Sequence, residues 1–185
     1  MIKVEVLDKY IIVEGFRNVK ISDVESFLNL IKAKAGGTYV QVLDANMVAG
    51  FEHIYFAVLN ALKSFRANLN MSKNLAIEVM LFASGQDQIK NAIEILGVKP
   101  GLQNIVVIII AESKDDAESA LGGILSVLSG ERDEGVIELT EEKIPSLIKA
   151  FNISRLELEA FMRGSLRDAL KNAIIERMAL LITQR

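Results

Sequence analysis

A mixed α/β fold built as one domain is what this sequence predicts, and three observations lead there. Short β-rich runs, alternating or continuously apolar, lie near residues 2–14, 38–43 and 104–111. Between and after them run apolar stripes at helical spacing, several preceded by a Ser-x-x-acid start. Apolar residues make up 51% of the 185, enough to bury a real core, yet no apolar run nears the roughly 20 residues that cross a bilayer. The expectation is a single domain over residues 1–185. It has a small mixed or antiparallel sheet of about four or five strands, packed with about seven helices.

The elements follow in order. Ile2 to Leu7 and Tyr10 to Glu14 alternate as two short strands turning near Asp8-Lys9, without the Asn-Gly or Asp-Gly that hairpins favour. Ser22-x-x-Glu25 reads as a capping box for a helix carrying Val24, Phe27, Leu28 and Ile31, stopped by Gly36-Gly37. Thr38 to Leu43 is β-rich and predicts a strand. Phe51 to Leu69 holds the clearest helical stripe, with Lys63 and Arg66 off the apolar face. Asn74 to Ala83 is a second, shorter helix. Ser84-x-x-Asp87 then opens another, with core positions Ile89, Ala92, Ile93 and Leu96 and a stop at Gly97 and Pro100.

Asn104 to Ala111 is the most apolar strand and is expected at the centre of the sheet, buried on both faces. Ser113-x-x-Asp116 starts a helix bearing Ala117, Leu121, Ile124 and Leu128, with Gly122-Gly123 weakening its middle or marking close packing. Gly130 to Gly135 reads as an acidic surface turn and Val136 to Leu139 as a short edge strand. Thr140 to Phe151 is helical, with Pro145 near its start. Ser154/Glu157 and Ser165/Asp168 open two last helices.

Composition excludes several function classes. With no cysteine and one histidine, disulfides, thiolate zinc sites, cysteine nucleophiles and His-rich metal sites fall away. A net charge of −3 disfavours nucleic-acid affinity resting on a globally basic surface, so no DNA partner is expected and any RNA contact must be local. The charged N-terminus Met1-Ile2-Lys3-Val4-Glu5 lacks a signal-peptide pattern; a cytoplasmic protein with no membrane partner is the expectation.

Candidate chemistry is sparse. His53 with Asp44 gives an alternative reading as a small hydrolase-like enzyme, but no nucleophile elbow or metal spacing surrounds them. A half-buried structural histidine, bonded to backbone or to Asp44, is the favoured reading. Neither glycine pair belongs to a phosphate-binding motif, so no cofactor is expected. Ser84-Gly85-Gln86-Asp87-Gln88 could present helix N–H groups to an anion, although Asp87 already occupies that turn. Lys63, Arg66 and Lys73 form one basic group, and Arg163, Arg167 and Lys171, at i, i+4, i+8, another. The last helix carries two apolar stripes. One is Leu166, Leu170, Ala173, Ile174, Met178 and Leu181; the other is Ile175, Ala179 and Ile182, with Leu180 widening the pair. Since a surface helix needs only one apolar face, either it is central or one face is kept for a partner, whether another protein or a second copy in a self-associating scaffold.

Two blocks are the most specific. The first is Asp44-Ala45-x-x-Val48-x-Gly50-x-x-His53-Ile54-x-x-Ala57. The second is Glu78-Val79-Met80-Leu81-x-x-Ser84-Gly85-x-x-Gln88-Ile89-x-x-Ala92-Ile93-x-x-x-Gly97-Val98-Lys99. With the strand Ile105 to Ile110 and Glu176-Arg177-Met178-Ala179-Leu180-Leu181, the pattern resembles the kinase-binding small subunits of the KEOPS (EKC) complex, the TPRKB-like regulatory family. It departs at Gln86 and Asp87, where the family often carries a small or hydroxyl residue and a basic one. The resemblance implies a non-catalytic adaptor that binds the small atypical protein kinase of that complex. Such an adaptor helps position tRNA, through its 3′ CCA end, for N6-threonylcarbamoyladenosine formation by another subunit. It further implies a partner surface in the C-terminal helical region, with Leu170, Ile174, Arg177, Met178 and Leu181 as candidates. Tyr55, Phe56, Lys63, Arg66 and Lys73 are the candidates for RNA contact through stacking and a local basic groove.

Overall fold

The computed structural model describes residues 1–183; the last two residues of the single-domain expectation lie outside the described residues. The strands are β1 (Ile2–Val6), β2 (Lys9–Ile21), β3 (Tyr39–Asp44), β4 (Gly101–Ala111) and β5 (Glu131–Arg132). The helices are α1 (Val24–Lys34), α2 (Phe51–Arg66), α3 (Leu75–Ser84), α4 (Ile89–Leu96), α5 (Lys114–Leu125), α6 (Ile144–Ala150), α7 (Arg155–Phe161) and α8 (Leu166–Leu180). The predicted mixed α/β class is therefore the observed one, an open antiparallel sheet with helices, eight of them among the described residues. Packing divides the chain into two compact units: Met1–Ala45 with Gly97–Val136, and Asn46–Leu96 with Ile137–Arg185.

The first unit holds the sheet, in the order β1-β2-β4-β3, with β5 also on β2. The β1–β2 turn falls on Leu7 and Asp8, both at positive φ (48° and 28°), the type I′ geometry that a two-residue hairpin demands even without Asn-Gly. β2 continues well past the predicted end at Glu14, because a bulge between Phe16 and Val19 interrupts its alternation without ending its pairing. Asn18 sits there at φ 56° and its N–H donates to Asn104 Oδ1 at 3.2 Å. The inserted residue moves the inward phase from Ile12 and Phe16 to Val19 and Ile21, all of which belong to one core cluster. β4 is central, as predicted, and its residues Ile105 to Ile110 are buried on both faces. Ile12, Ile109 and Val40 align across β2, β4 and β3, and α1 and α5 pack on that row through Phe27, Ile31, Leu121 and Ile124.

Three sequence expectations are corrected in this unit. Asp23, rather than Ser22, caps α1, accepting from Ser26 N–H at 2.7 Å. The stretch 131–132, read as a turn, is strand β5. Arg17–Glu131 and Arg132–Glu14 ion pairs, each at 2.5 Å, hold it to β2. Val136 and Ile137, read as the start of an edge strand reaching Leu139, instead lie with Glu134 and Gly135 in a 3-10 turn, because the Asp133 side chain accepts from Gly135 N–H at 2.9 Å. Gly123 is the close-packing site expected of its pair: a Cβ there would collide with the Lys34 carbonyl oxygen, while one on Gly122 would meet nothing within 4 Å.

The second unit is helical. Its core joins Leu139, Leu147, Phe151, Ile153 and Leu158 to Leu170, Ala173 and Ile174 of α8. α7 starts with the predicted capping box, Ser154 and Glu157 bonded reciprocally, and Ser165 caps α8 by accepting from Asp168 N–H. Ser84 does not open α4. It is the last residue of α3, its hydroxyl donates to Leu81 C=O, and Gly85 at φ 63° ends that helix. The left-handed glycine outweighs the cap pattern, so no helix N-terminus for an anion exists at Ser84. No described helix is long and apolar enough to cross a membrane.

Candidate functional site

Three places in the helical unit gather the residues that sequence singles out. The first is His53, which enters α2 just after Gly50, whose φ of 96° suits glycine. Its imidazole is buried. Nδ1 accepts from Ala49 N–H at 3.1 Å, and Nε2 donates to Ala83 C=O at 2.7 Å. The Phe151 ring meets it edge-on at 5.8 Å. Desolvation pushes its pKa down to about 4, so the ring is neutral at pH 7. Both nitrogens are spent on backbone, which leaves neither for the proton transfer that the His53/Asp44 enzyme reading requires.

The second place is the outward face of α2 and the loop after it. At 100° per residue, Tyr55, Phe56, Leu59, Lys63 and Arg66 fall on one side, opposite the buried Ile54, Ala57, Ala61 and Ser64. Tyr55 and Phe56 are half-buried with rings 5.5 Å apart and nearly perpendicular, and Phe51 lies 6.0 Å from Tyr55. Four of the five RNA candidates thus share one aromatic and basic stripe. Lys73 stands apart, exposed in the following loop.

That loop is held by a residue the sequence reading missed. Glu78 is fully buried in α3, and its carboxylate accepts from Met71 N–H at 2.9 Å and Ser72 N–H at 2.7 Å. Asn70 and Asn74 add side-chain bonds to Ser72 C=O and to the first N–H groups of α3. The signal was one acid inside a helix that is otherwise apolar from Leu75 to Ala83. A lone carboxylate in such a helix must find donors.

The third place is α7–α8. Here the two apolar stripes of α8 separate. Leu170, Ile174 and Met178 are 0% exposed and Leu181 5%, so these four kinase candidates are core side chains of the unit itself. Of the second stripe, Ala179 is exposed, while Ile175 and Ile182, the latter just past the end of α8, are half-buried; Leu180, 43% exposed, lies about 140° round the helix from Ile175. Arg177, the fifth candidate, is partly exposed and bridges α8 to α7. Its Nη2 donates to Glu157 at 2.6 Å and to Asn152 C=O at 3.0 Å. The Ser154 backbone and side chain, then Arg177, hold the Glu157 carboxyl down to about 2. On the basic face of α8, Arg167 pairs with Glu141 at 2.7 Å and Lys171 with Glu52 at 3.2 Å, while Arg163 lies before the helix begins.

A family model described as "Kinase binding protein CGI-121" matches residues 16–181. This chain belongs to that family. The family resemblance read from the two blocks is therefore correct, and all three places lie within the matched segment. "Regulatory protein Cgi121" of Methanocaldococcus jannaschii is 30% identical over 142 residues, spanning 77% of this chain and 84% of that protein. "KEOPS complex subunit Cgi121" of Pyrococcus abyssi is 31% identical over 93 residues, 50% of this chain and 52% of that one. The names of these CGI-121 relatives describe a regulator and a complex subunit, not a catalyst.

Proposed function

We propose that this chain is a non-catalytic subunit of a KEOPS complex that docks the complex's small atypical protein kinase and helps recruit tRNA by its 3′ CCA end for N6-threonylcarbamoyladenosine modification. Membership of a family described as kinase-binding supports the first half. The observation that carries it is the second apolar stripe of α8. With Leu170, Ile174 and Met178 already inside the unit, exposed Ala179 and the open sides of half-buried Ile175 and Ile182 remain as a partly uncovered apolar stripe. An amphipathic helix docks on a partner through such i, i+4, i+7 anchors. In this reading the kinase meets that stripe and the buried candidates support it, while Arg177, about 160° round the helix from Ile175, braces α8 against α7.

Titration calorimetry with the kinase separates the two stripes. Ile175→Asp is expected to keep the fold and weaken binding at least about tenfold, as loss of an interface anchor does. Ile174→Asp is expected to unfold the unit by burying a charge. Wild-type affinity in a folded Ile175→Asp protein would refute the assignment. The tRNA half rests on the stripe of Tyr55, Phe56, Lys63 and Arg66, where rings and cations lie together as single-stranded RNA requires.

A further inference from the structure

The outer edge of β1 is a self-complementary strand, and we propose that it pairs with β1 of a second copy of this chain about a two-fold axis through Val4. β1 ends the sheet, with β2 on one side and no strand of the described residues on the other. The two-residue turn at Leu7-Asp8 makes Val6 and Lys9 a hydrogen-bonded pair, so Val4 and Ile2 also spend their N–H and C=O groups on β2. Lys3 and Glu5 then point theirs outward. Antiparallel pairing centred on Val4 sets Lys3 opposite the second copy's Glu5 twice over, and satisfies all four outward backbone groups in two closely spaced pairs.

Charge selects this register alone. A shift by two residues in one direction sets Lys3 against Lys3, and in the other Glu5 against Glu5. Like charges directly opposite are unfavourable. The centred register also brings Val4 against Val4 and Ile2 against Val6, on the side chain face opposite the charges. Glu5 has no ion partner among the described residues, and Lys3, 2.6 Å from Glu118, keeps donors to share. Charged residues on an edge usually block pairing. Here they block every register but one. One short strand from each copy makes a small interface, so the association is weak and concentration-dependent. It holds whether or not α8 docks a kinase.

Sedimentation of the full chain over a range reaching millimolar concentration tests this. The wild type is expected to dimerise reversibly. Glu5→Lys and Lys3→Glu, each checked for an unchanged thermal melt, are expected to sediment as monomers, with association weakened by about tenfold or more. Their equimolar mixture is expected to form a 1:1 heterodimer, since Lys then faces Glu at both positions. Glu5→Pro removes only an outward N–H and is expected to abolish pairing without disturbing β2. A wild type monomeric throughout, a Glu5→Lys protein that dimerises like the wild type, or a mixture that stays monomeric would each overturn the proposal. Should Lys3→Glu fail to fold beside Glu118, the Glu5→Lys and Glu5→Pro results alone decide.

Discussion

With one ring nitrogen accepting from Ala49 and the other donating to Ala83, the imidazole of His53 ties the start of α2 to the end of α3. Its pKa falls from an ordinary 6.5 to about 4 on folding, so the unfolded chain binds more protons between those values. Stability therefore falls as pH drops from about 6.5 to about 4, by up to about 1.4 kcal/mol for each pH unit. Urea midpoints measured across that window for wild type and His53→Gln are expected to show a steeper acid-side loss in the wild type. Identical slopes would mean that the histidine is not the group responsible. The structural role of His53 was legible from its lack of chemical neighbours in sequence. Its two backbone partners were not, since Ala83 lies in a different helix and carries no marking side chain. Glu78 carries a signal as the lone acid of an apolar helix, but its partners were illegible for a related reason: they are main-chain N–H donors, which every sequence has.

Elements were legible where local chemistry agreed with packing. Ser113, Ser154 and Ser165 all cap as read, because each precedes an apolar stripe with nothing competing. Ser84 has the same spacing, but Gly85 takes the left-handed conformation that closes a helix, and that wins. β2 was cut short because the bulge at Arg17-Asn18 shifts its period, and a period-two reading loses a strand at such a step. In α8 both stripes were visible, and spacing alone does not say which one the protein itself covers. The glycine pair of α5 offers a test at this scale. Gly123→Ala must push a methyl group into the Lys34 carbonyl, and is expected to lower stability by about 1–3 kcal/mol. Gly122→Ala meets open space and is expected to raise it by up to about 1 kcal/mol through helix propensity. Equal shifts for the two variants, in denaturant or thermal unfolding, would contradict the close approach of α5 to the end of α1.

At the scale of the molecule, a net charge of −3 means that any RNA contact is made against the overall field, by a local cluster. If the α2 stripe is that cluster, the double change Lys63→Glu with Arg66→Glu should flatten the dependence of log affinity on log salt. The expected reduction is about 0.7 for each cation lost on a single strand. A CCA-ended RNA titrated at several salt concentrations measures it, and an unaltered slope would move the contact elsewhere.

The division into two units also governs how the chain is made. Each unit is assembled from two separated stretches, and β2 and β3 share no partner until Gly101–Ala111 has been synthesised. On a translating ribosome, α2 to α4 therefore emerge long before Leu139, Leu147 and Phe151 are available to complete their unit. α3 can pack on α2 and α4 at once, but Met47, Ala49 and Ile95 must wait for those later residues, and chain growth, rather than any intrinsic step of folding, sets how long a chaperone would have to shield them.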